Sequence, residues 1–140
     1  MQQLKIKRLT EWANRRFSYK IVIDGQEQFE IANGEEKIIS TEQARTIQAK
    51  LMWCGSKEVN LSSATQKIKE IRVKANNGPN VRFPLVAFSL LMIISIINLA
   101  FPENGAKELM TSLLVGVILY AIALLTVWRN RFLDIEVVTE

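Results

Sequence analysis

The sequence has 140 residues, no histidine, one cysteine and a formal net charge of +4. The lack of histidine excludes Ser-His-Asp and Cys-His catalytic sites and histidine metal ligands. One cysteine excludes a disulfide within the chain and a multi-cysteine zinc site. Residues 1–82 carry fifteen Lys and Arg against nine Asp and Glu, a net of +6, whereas residues 83–140 carry three against five, a net of −2.

Residues 1–78 are predicted to form a β-rich domain. Apolar side chains alternate along Phe17–Ile23, and Asp24-Gly25 then gives a hairpin signal. Asn33-Gly34 is a second turn signal. Six or seven short strands separated by such turns are typical of a small antiparallel sandwich or barrel. The other candidate strands are residues 4–7, 29–32, 37–40, 47–53, 59–61 and 68–73.

The segment Thr41–Met52 has two interpretations. Apolar side chains alternate from Ile47 to Trp53, which favours a strand that Cys54-Gly55 breaks. Helical spacing fits as well, so a helix is the main alternative to the strand that we favour. The residues that fit helical spacing are Ala44, Ile47, Gln48 and Leu51.

Part of this pattern is similar to a known module. Tyr19–Gly25 reads as a strand ending in Ile-Asp-Gly, Asn33-Gly34-Glu35 as a turn, and Ile47–Trp53 as an alternating strand. This layout resembles the small β-sandwich modules of the PEGA type, with Thr41–Arg45 in place of their Pro-Gly-His corner. The resemblance is confined to the N-terminal part of the chain. It implies an accessory interaction module of membrane or surface proteins, without catalytic residues.

A basic cluster interleaved with Trp12 and Phe17 is the main candidate for ligand contact. Such clusters bind the phosphates and bases of nucleotides or single-stranded nucleic acid, or lie against anionic lipid. Lipid contact and solvation are favoured here over a signalling nucleotide or an acidic protein partner, and no duplex nucleic acid is expected. The cluster consists of Lys5, Lys7, Arg8, Arg15, Arg16 and Lys20.

The sequence predicts no enzyme, no cofactor and no metal. Cys54 has no histidine to act as its base and no second cysteine, so a buried thiol is the simpler interpretation. Asp24 is explained by turn chemistry. No Walker-type or G-x-G-x-x-G sequence occurs.

Two uncharged segments, residues 83–101 and 109–128, are predicted to be transmembrane helices. At 1.5 Å per residue the first is about 28 Å long, close to the thickness of the hydrocarbon core. Residues 79–82 are predicted to be a linker, because 76–80 is rich in turn residues. Residues 102–108 are too short for anything except a tight connection, which predicts an antiparallel hairpin.

Basic residues predict the orientation of this hairpin. Lys107 is the one basic residue in the connection, beside Glu103 and Glu108. The positive-inside rule therefore places the connection outside and both termini in the cytoplasm, which suggests a bacterial inner membrane protein. The basic residues that flank the spans are Lys67, Lys69, Arg72, Lys74 and Arg82 before the first, and Arg129 and Arg131 after the second.

Small and polar side chains inside the spans are candidates for helix packing. Ser112 and Gly116 form a small-xxx-small pair, which permits close approach of helices in lipid. Asn98 is either an interfacial side chain or a hydrogen-bond donor between helices or subunits. The full set of packing candidates is Ser89, Ser95, Asn98, Ser112 and Gly116.

The tail, residues 129–140, is predicted to contain one more strand, because Leu133, Ile135 and Val137 alternate with polar residues. It pairs either with an edge of the N-terminal domain or with a neighbouring subunit.

Two functions are consistent with this organisation. The first is a two-pass membrane protein whose cytoplasmic β module binds a protein partner or ligand, with the helical hairpin as anchor. The alternative is an oligomeric pore-forming or membrane-disrupting effector gated by the β domain. An anionic signalling nucleotide is the candidate signal for that gate, and one hairpin cannot enclose a pore, so the effector requires a homo-oligomer.

Overall fold

The computed structural model describes residues 2–12, 14–41, 44–62, 68–100 and 106–139, and the chain forms two compact units. The first unit contains residues 1–76 and 129–140, and the second contains residues 77–128. The tail therefore belongs to the same unit as the N-terminal domain. The β-rich domain and the helices predicted from the sequence are both present.

The described residues of the first unit form nine strands. They are β1 (Gln2–Arg8), β2 (Tyr19–Ile23), β3 (Gln26–Ile31), β4 (Glu36–Thr41), β5 (Thr46–Leu51), β6 (Cys54–Gly55), β7 (Val59–Asn60), β8 (Ile68–Ala75) and β9 (Leu133–Thr139). One sheet has the order β4-β1-β8-β9, and the other has the order β3-β2-β5-β6, with β7 also paired to β5.

The two sheets share one apolar core. Leu4 and Ile6 of β1, Ile21 of β2 and Ile47 of β5 are almost completely buried in it together with Val73 of β8. Burial of one such side chain stabilises the fold by about 1.5–3 kcal/mol. Alternation therefore explains why these segments form strands, because each strand directs every second side chain into the space between the sheets.

One strand pair departs from the predicted antiparallel arrangement. β1 pairs with β8 in parallel, with Ile6 opposite Ile71 and Arg8 opposite Val73. The chain crosses to the other sheet between these strands and so can return in the same direction, as parallel pairs require. The prediction of a purely antiparallel domain was wrong at this pair.

The strand interpretation of residues 47–53 is confirmed over Thr46–Leu51, and the alternative helix is not formed there. Cys54-Gly55 was predicted to end the sheet at this point, but it continues the sheet. It forms β6, with Cys54 opposite Leu51, and Met52-Trp53 is the two-residue turn between them. Glu42 and Gln43 of the predicted corner lie outside the described residues.

Asp24 and Gly25 form the predicted hairpin turn, with φ of 48° and 79°. The Asp24 Oδ1 atom also accepts hydrogen bonds from the backbone N–H of Arg45 (2.9 Å) and of Thr46 (2.8 Å). Asp24 therefore fixes both its own turn and the start of β5.

We expect Asp24→Ala to lower the free energy of unfolding by about 1 kcal/mol, the usual net contribution of such hydrogen bonds. Asp24→Asn is the matched control, because it keeps an acceptor oxygen and tolerates the positive φ. Urea unfolding followed by tryptophan fluorescence measures both. An alanine variant as stable as the asparagine variant would contradict this role.

The tail strand pairs within the chain. β9 lies antiparallel to β8, and the register runs from Ile68 opposite Thr139 to Ala75 opposite Leu133. This pairing covers the edge of β8 and joins the two ends of the chain in one sheet.

The second unit is helical. A π-helical turn (Gly78–Arg82) runs directly into α1 (Phe83–Ala100), and α2 comprises Ala106–Thr126. The predicted linker 79–82 is therefore part of the helix, because Pro79 lies in the first turn, where its missing N–H has no partner to lose. Residues 101–105, which include the end of the first predicted span and most of the predicted connection, lie outside the described residues.

The helices run antiparallel, since the ring of Phe83 at the start of α1 lies 4.9 Å from that of Tyr120 in the last third of α2. Among the described residues, one helical segment, Gly78–Ala100, is long and apolar enough to cross a membrane. The apolar part of α2, Met110–Thr126, is shorter.

Candidate functional site: the loop end of the sandwich

Arg8 organises the connection between β1 and β2. Its side chain is completely buried, on the inward face of β1 that also carries Leu4 and Ile6. The guanidinium donates hydrogen bonds to the carbonyl oxygens of Asn14 (2.8 Å) and Phe17 (2.5 Å) and lies 3.6 Å from the centre of the Tyr19 ring. Arg8 therefore cannot contact lipid or a nucleotide, and its assignment to the basic cluster was wrong.

Glu11 completes this buried network. Its Oε1 atom accepts hydrogen bonds from Arg8 at 3.2–3.3 Å and from the Tyr19 hydroxyl. Its Oε2 atom accepts one from the backbone N–H of Ala75 at 2.6 Å. The Asn33 side chain pairs with the Glu11 backbone through two hydrogen bonds of 3.0 and 3.1 Å. Glu11 thus joins the β1–β2 loop to the end of β8 and to the β3–β4 turn.

Burial and the hydrogen bond to Glu11 raise the pKa of Tyr19 well above its usual range. Between the unfolded pKa of about 10 and the higher folded pKa, the unfolded chain has lost a proton that the folded chain keeps. We therefore expect stability to fall as pH rises above about 10. Tyr19→Phe should weaken this alkaline dependence, measured by urea unfolding across that range, and an unchanged slope would contradict the assignment.

Three other members of the predicted basic cluster form ion pairs on the two sheets. Lys5 lies on the outer face of the first sheet, 3.1 Å from Glu36, and Lys7 lies 3.8 Å from the same carboxylate. Lys20 belongs to the second sheet and pairs with Glu27 at 3.1 Å. These three lysines are parts of cross-strand ion pairs rather than of one anion site.

Arg15 and Arg16 remain exposed, in the loop that Arg8 holds. Trp12 and Phe17 flank them and are 84% and 50% exposed. The loop therefore presents two arginines and two aromatic rings to the surroundings.

A second exposed apolar pair lies at the same end of the sandwich. Lys20 is opposite Lys50, so the start of β2 adjoins the end of β5 and its turn, Met52-Trp53. Met52 is 81% exposed and Trp53 51%. Trp53 packs edge-to-face on Phe132, 5.1 Å away, immediately before β9. We call the set Trp12, Arg15, Arg16, Phe17, Met52 and Trp53 the loop end.

Sequence reasoning identified Arg15 and Arg16 of the loop end and the two aromatic residues beside them. It did not identify Met52 and Trp53 as part of the same surface. Met52 and Trp53 were assigned to a strand, although Cys54-Gly55 directly after them pairs back on the same strand. It also missed Glu11 and Asn33. The signal for the buried network was available: Arg8 continues the Leu4, Ile6 alternation and so occupies an inward position.

A cleft of about 660 Å³ lies between β7 and β9. Its lining includes Lys57 and Arg131 as well as Glu58 and Asp134, so it combines both signs of charge. Such a lining suits a polar ligand or the side chains of a protein better than a polyanion.

Cys54 is buried, and burial raises the pKa of its thiol. A thiol that stays protonated is a poor nucleophile. Within the described ranges, no three histidine, cysteine or acidic side chains come together as a metal site.

In the second unit, the predicted packing residues separate into two groups. Ser112 and Gly116 line an apolar groove of about 310 Å³ between α1 and α2, and a side chain at Gly116 would meet open space. Ser89, Ser95 and Asn98 are not among the residues that line this groove. The Ser95 hydroxyl donates to the carbonyl of Leu91 at 2.8 Å, within its own helix. Ser112 and Gly116 therefore face an open groove rather than a close contact between α1 and α2.

No protein-family model, curated protein or solved structure matches this chain. The resemblance to PEGA-type modules stays a prediction.

Proposed function

We propose that the chain is a two-pass membrane protein in which α1 and α2 are the anchor and the β sandwich is a cytoplasmic binding module without catalytic activity. The observation that carries this proposal is the pairing of Ala75 with Leu133. The chain leaves the sandwich after the first of these residues and re-enters it at the second, at one end of one sheet. If Gly78–Ala100 crosses a bilayer, the chain has to cross back before Leu133, and α2 is the helix that lies between.

The length of α2 supports this return. Its apolar part, Met110–Thr126, corresponds to about 26 Å at 1.5 Å per residue, at the lower end of the lengths that cross the hydrocarbon core. Lys107 and Glu108 lie in its first turn and are exposed. In the proposed topology they lie at the headgroups rather than in the hydrocarbon, where charge is costly.

Exposed apolar surface on α1 also supports insertion. Leu85, Phe88, Ile96 and Leu99 are 64%, 66%, 60% and 86% exposed, and none of the side chains of α1 is buried. Apolar surface of this extent is unfavourable in water and is removed from it by lipid.

Cell fractionation tests the anchoring. The full-length protein is expected to stay in the membrane pellet after an alkaline carbonate wash and to need detergent for extraction. A protein that is released by the wash, or that purifies without detergent, would contradict the proposal.

The binding role is proposed for the cleft between β7 and β9. A photo-crosslinking amino acid in place of Glu58 is expected to yield a defined adduct in cells. The same amino acid in place of Gln26, which is exposed at the β2–β3 turn, is the matched control and is expected to yield none. Equal labelling at both positions would contradict a specific site.

The groove on the second unit favours a second candidate, an oligomeric effector that forms a pore. A helix of another copy would fill the space beside Gly116, as small-residue faces permit in lipid. Mass in detergent distinguishes the two candidates: a ring of several copies supports the effector, and a non-leaking monomer or dimer contradicts it.

A further inference from the structure

We infer that the loop end of the sandwich docks on the headgroup layer of an anionic membrane, with Trp12, Phe17, Met52 and Trp53 at the level of the headgroups and Arg15 and Arg16 on lipid phosphates. This inference rests on the proposed membrane anchoring and names the partner of the loop end, whose residues do not line the cleft between β7 and β9.

The side chains of the loop end match the chemistry of a lipid headgroup layer. The loop end combines four exposed apolar side chains with two exposed arginines. Tryptophan and other amphipathic aromatics are enriched at the membrane–water interface, and arginine binds phosphate through its planar fork of donors. Glu11, the single acidic residue of the β1–β2 loop, is turned inward onto Arg8, so its charge is not presented with the arginines.

The loop end also contacts the two points where the sandwich connects to the helices. The Glu11 carboxylate accepts a hydrogen bond from the backbone N–H of Ala75, the last residue of β8. Trp53 packs on Phe132, the residue before β9. Both halves of the loop end are therefore tied to the two points at which the chain leaves the sandwich for the helices and returns from them. In a chain anchored by those helices, both covalent connections to the anchor begin at this end of the sandwich.

Met52 of the loop end has a strained backbone conformation. Met52 has φ of 45°, the left-handed region, in a two-residue hairpin turn where Gly or Asn is usual. A large apolar residue is thus kept in an unfavourable conformation while its side chain is 81% exposed. Backbone strain of this kind clusters at functional sites, so Met52 is a candidate for a functional contact.

The other candidates for an occupant fit less well. Lys5 and Lys7, on the outer face of the first sheet, are matched by Glu36 and Glu70 and lie away from exposed aromatics. An acidic protein would use Arg15 and Arg16 but would not require the apolar side chains of two separate loops.

Fluorescence quenching in nanodiscs tests the docking on the full-length chain. Two variants each keep one tryptophan, Trp12 or Trp53, and carry phenylalanine at the other two tryptophan positions. The lipid is phosphatidylcholine with phosphatidylglycerol in equal amounts, brominated near the glycerol end of the acyl chains. Both tryptophans are expected to be quenched and blue-shifted.

A third variant separates docking from anchoring. It carries phenylalanine at all three tryptophan positions together with Leu119→Trp in the middle of α2, and it is measured with bromines deep in the acyl chains. Quenching of this reporter without quenching of Trp12 and Trp53 would overturn the docking and leave the anchoring intact. Absence of quenching in all three variants would overturn both.

Charge and strain variants then test the mechanism of docking. Arg15→Ala with Arg16→Ala is expected to lower the equilibrium constant of docking about 30-fold on the anionic lipid, and Lys5→Ala with Lys7→Ala, which removes the same charge, is expected to leave it unchanged. Met52→Gly is expected to raise the urea midpoint and to weaken docking at once. Equal effects of the two double variants, or docking that is unchanged by Met52→Gly, would overturn the inference.

Discussion

Arg8→Met is expected to destabilise the sandwich by about 3–5 kcal/mol, the usual effect of removing one partner from a buried ion pair. The substitution keeps the apolar volume of the side chain but leaves the Glu11 carboxylate without its cation. It also leaves the carbonyl oxygens of Asn14 and Phe17 without their buried donor. Urea unfolding of the full-length protein in detergent measures the change.

Two further variants make this result specific. Lys7→Met, at the adjacent outward-facing position of β1, is expected to change stability by no more than about 0.5 kcal/mol. Glu11→Gln combined with Arg8→Met should cost less than the sum of the single changes, because the neutral amide no longer needs a cation. A loss below about 1 kcal/mol for Arg8→Met would contradict the proposed role of the buried network.

Met92→Asp is expected to raise the apparent free energy of membrane insertion of Gly78–Ala100 by about 2.5–3.5 kcal/mol, because it places a carboxylate near the centre of the span. An insertion assay based on glycosylation of engineered flanking sites measures this shift. Ile38→Asp is the matched control: Ile38 is 65% exposed on β4, outside the helices, and its substitution should not affect insertion. If both variants inserted like the original chain, α1 would not lie in the hydrocarbon.

The strands could be predicted from the sequence because their signals are local. Alternation along residues 17–23 and the Asp24-Gly25 turn specify a hairpin without reference to the rest of the chain, and the structure contains it. The parallel pairing of β1 with β8 could not be read in this way, because it joins residues more than sixty positions apart. The same holds for the choice between pairing of the tail within the chain and pairing with another subunit.

The basic cluster shows why proximity in sequence is a poor guide to a site. Lys7 and Arg8 are neighbours, but the pleat of β1 directs Lys7 outward to Glu36 and Arg8 inward to Glu11. The exposed arginines of the loop end precede β2, and the Met52-Trp53 turn follows β5; the pairing of β2 with β5 puts these two segments, distant in sequence, at the same end of the sheet. Such a surface exists only after the sheet has formed.

The sidedness of a single introduced cysteine tests the central claim most directly. In a background with Cys54→Ser, one variant carries Lys107→Cys at the start of α2 and the other carries Gln26→Cys on the sandwich. A membrane-impermeant maleimide added to intact cells is expected to label the variant at position 107, and to label the variant at position 26 only after lysis. Labelling of position 26 from outside, or equal access to both positions, would contradict a two-pass anchor with the sandwich in the cytoplasm.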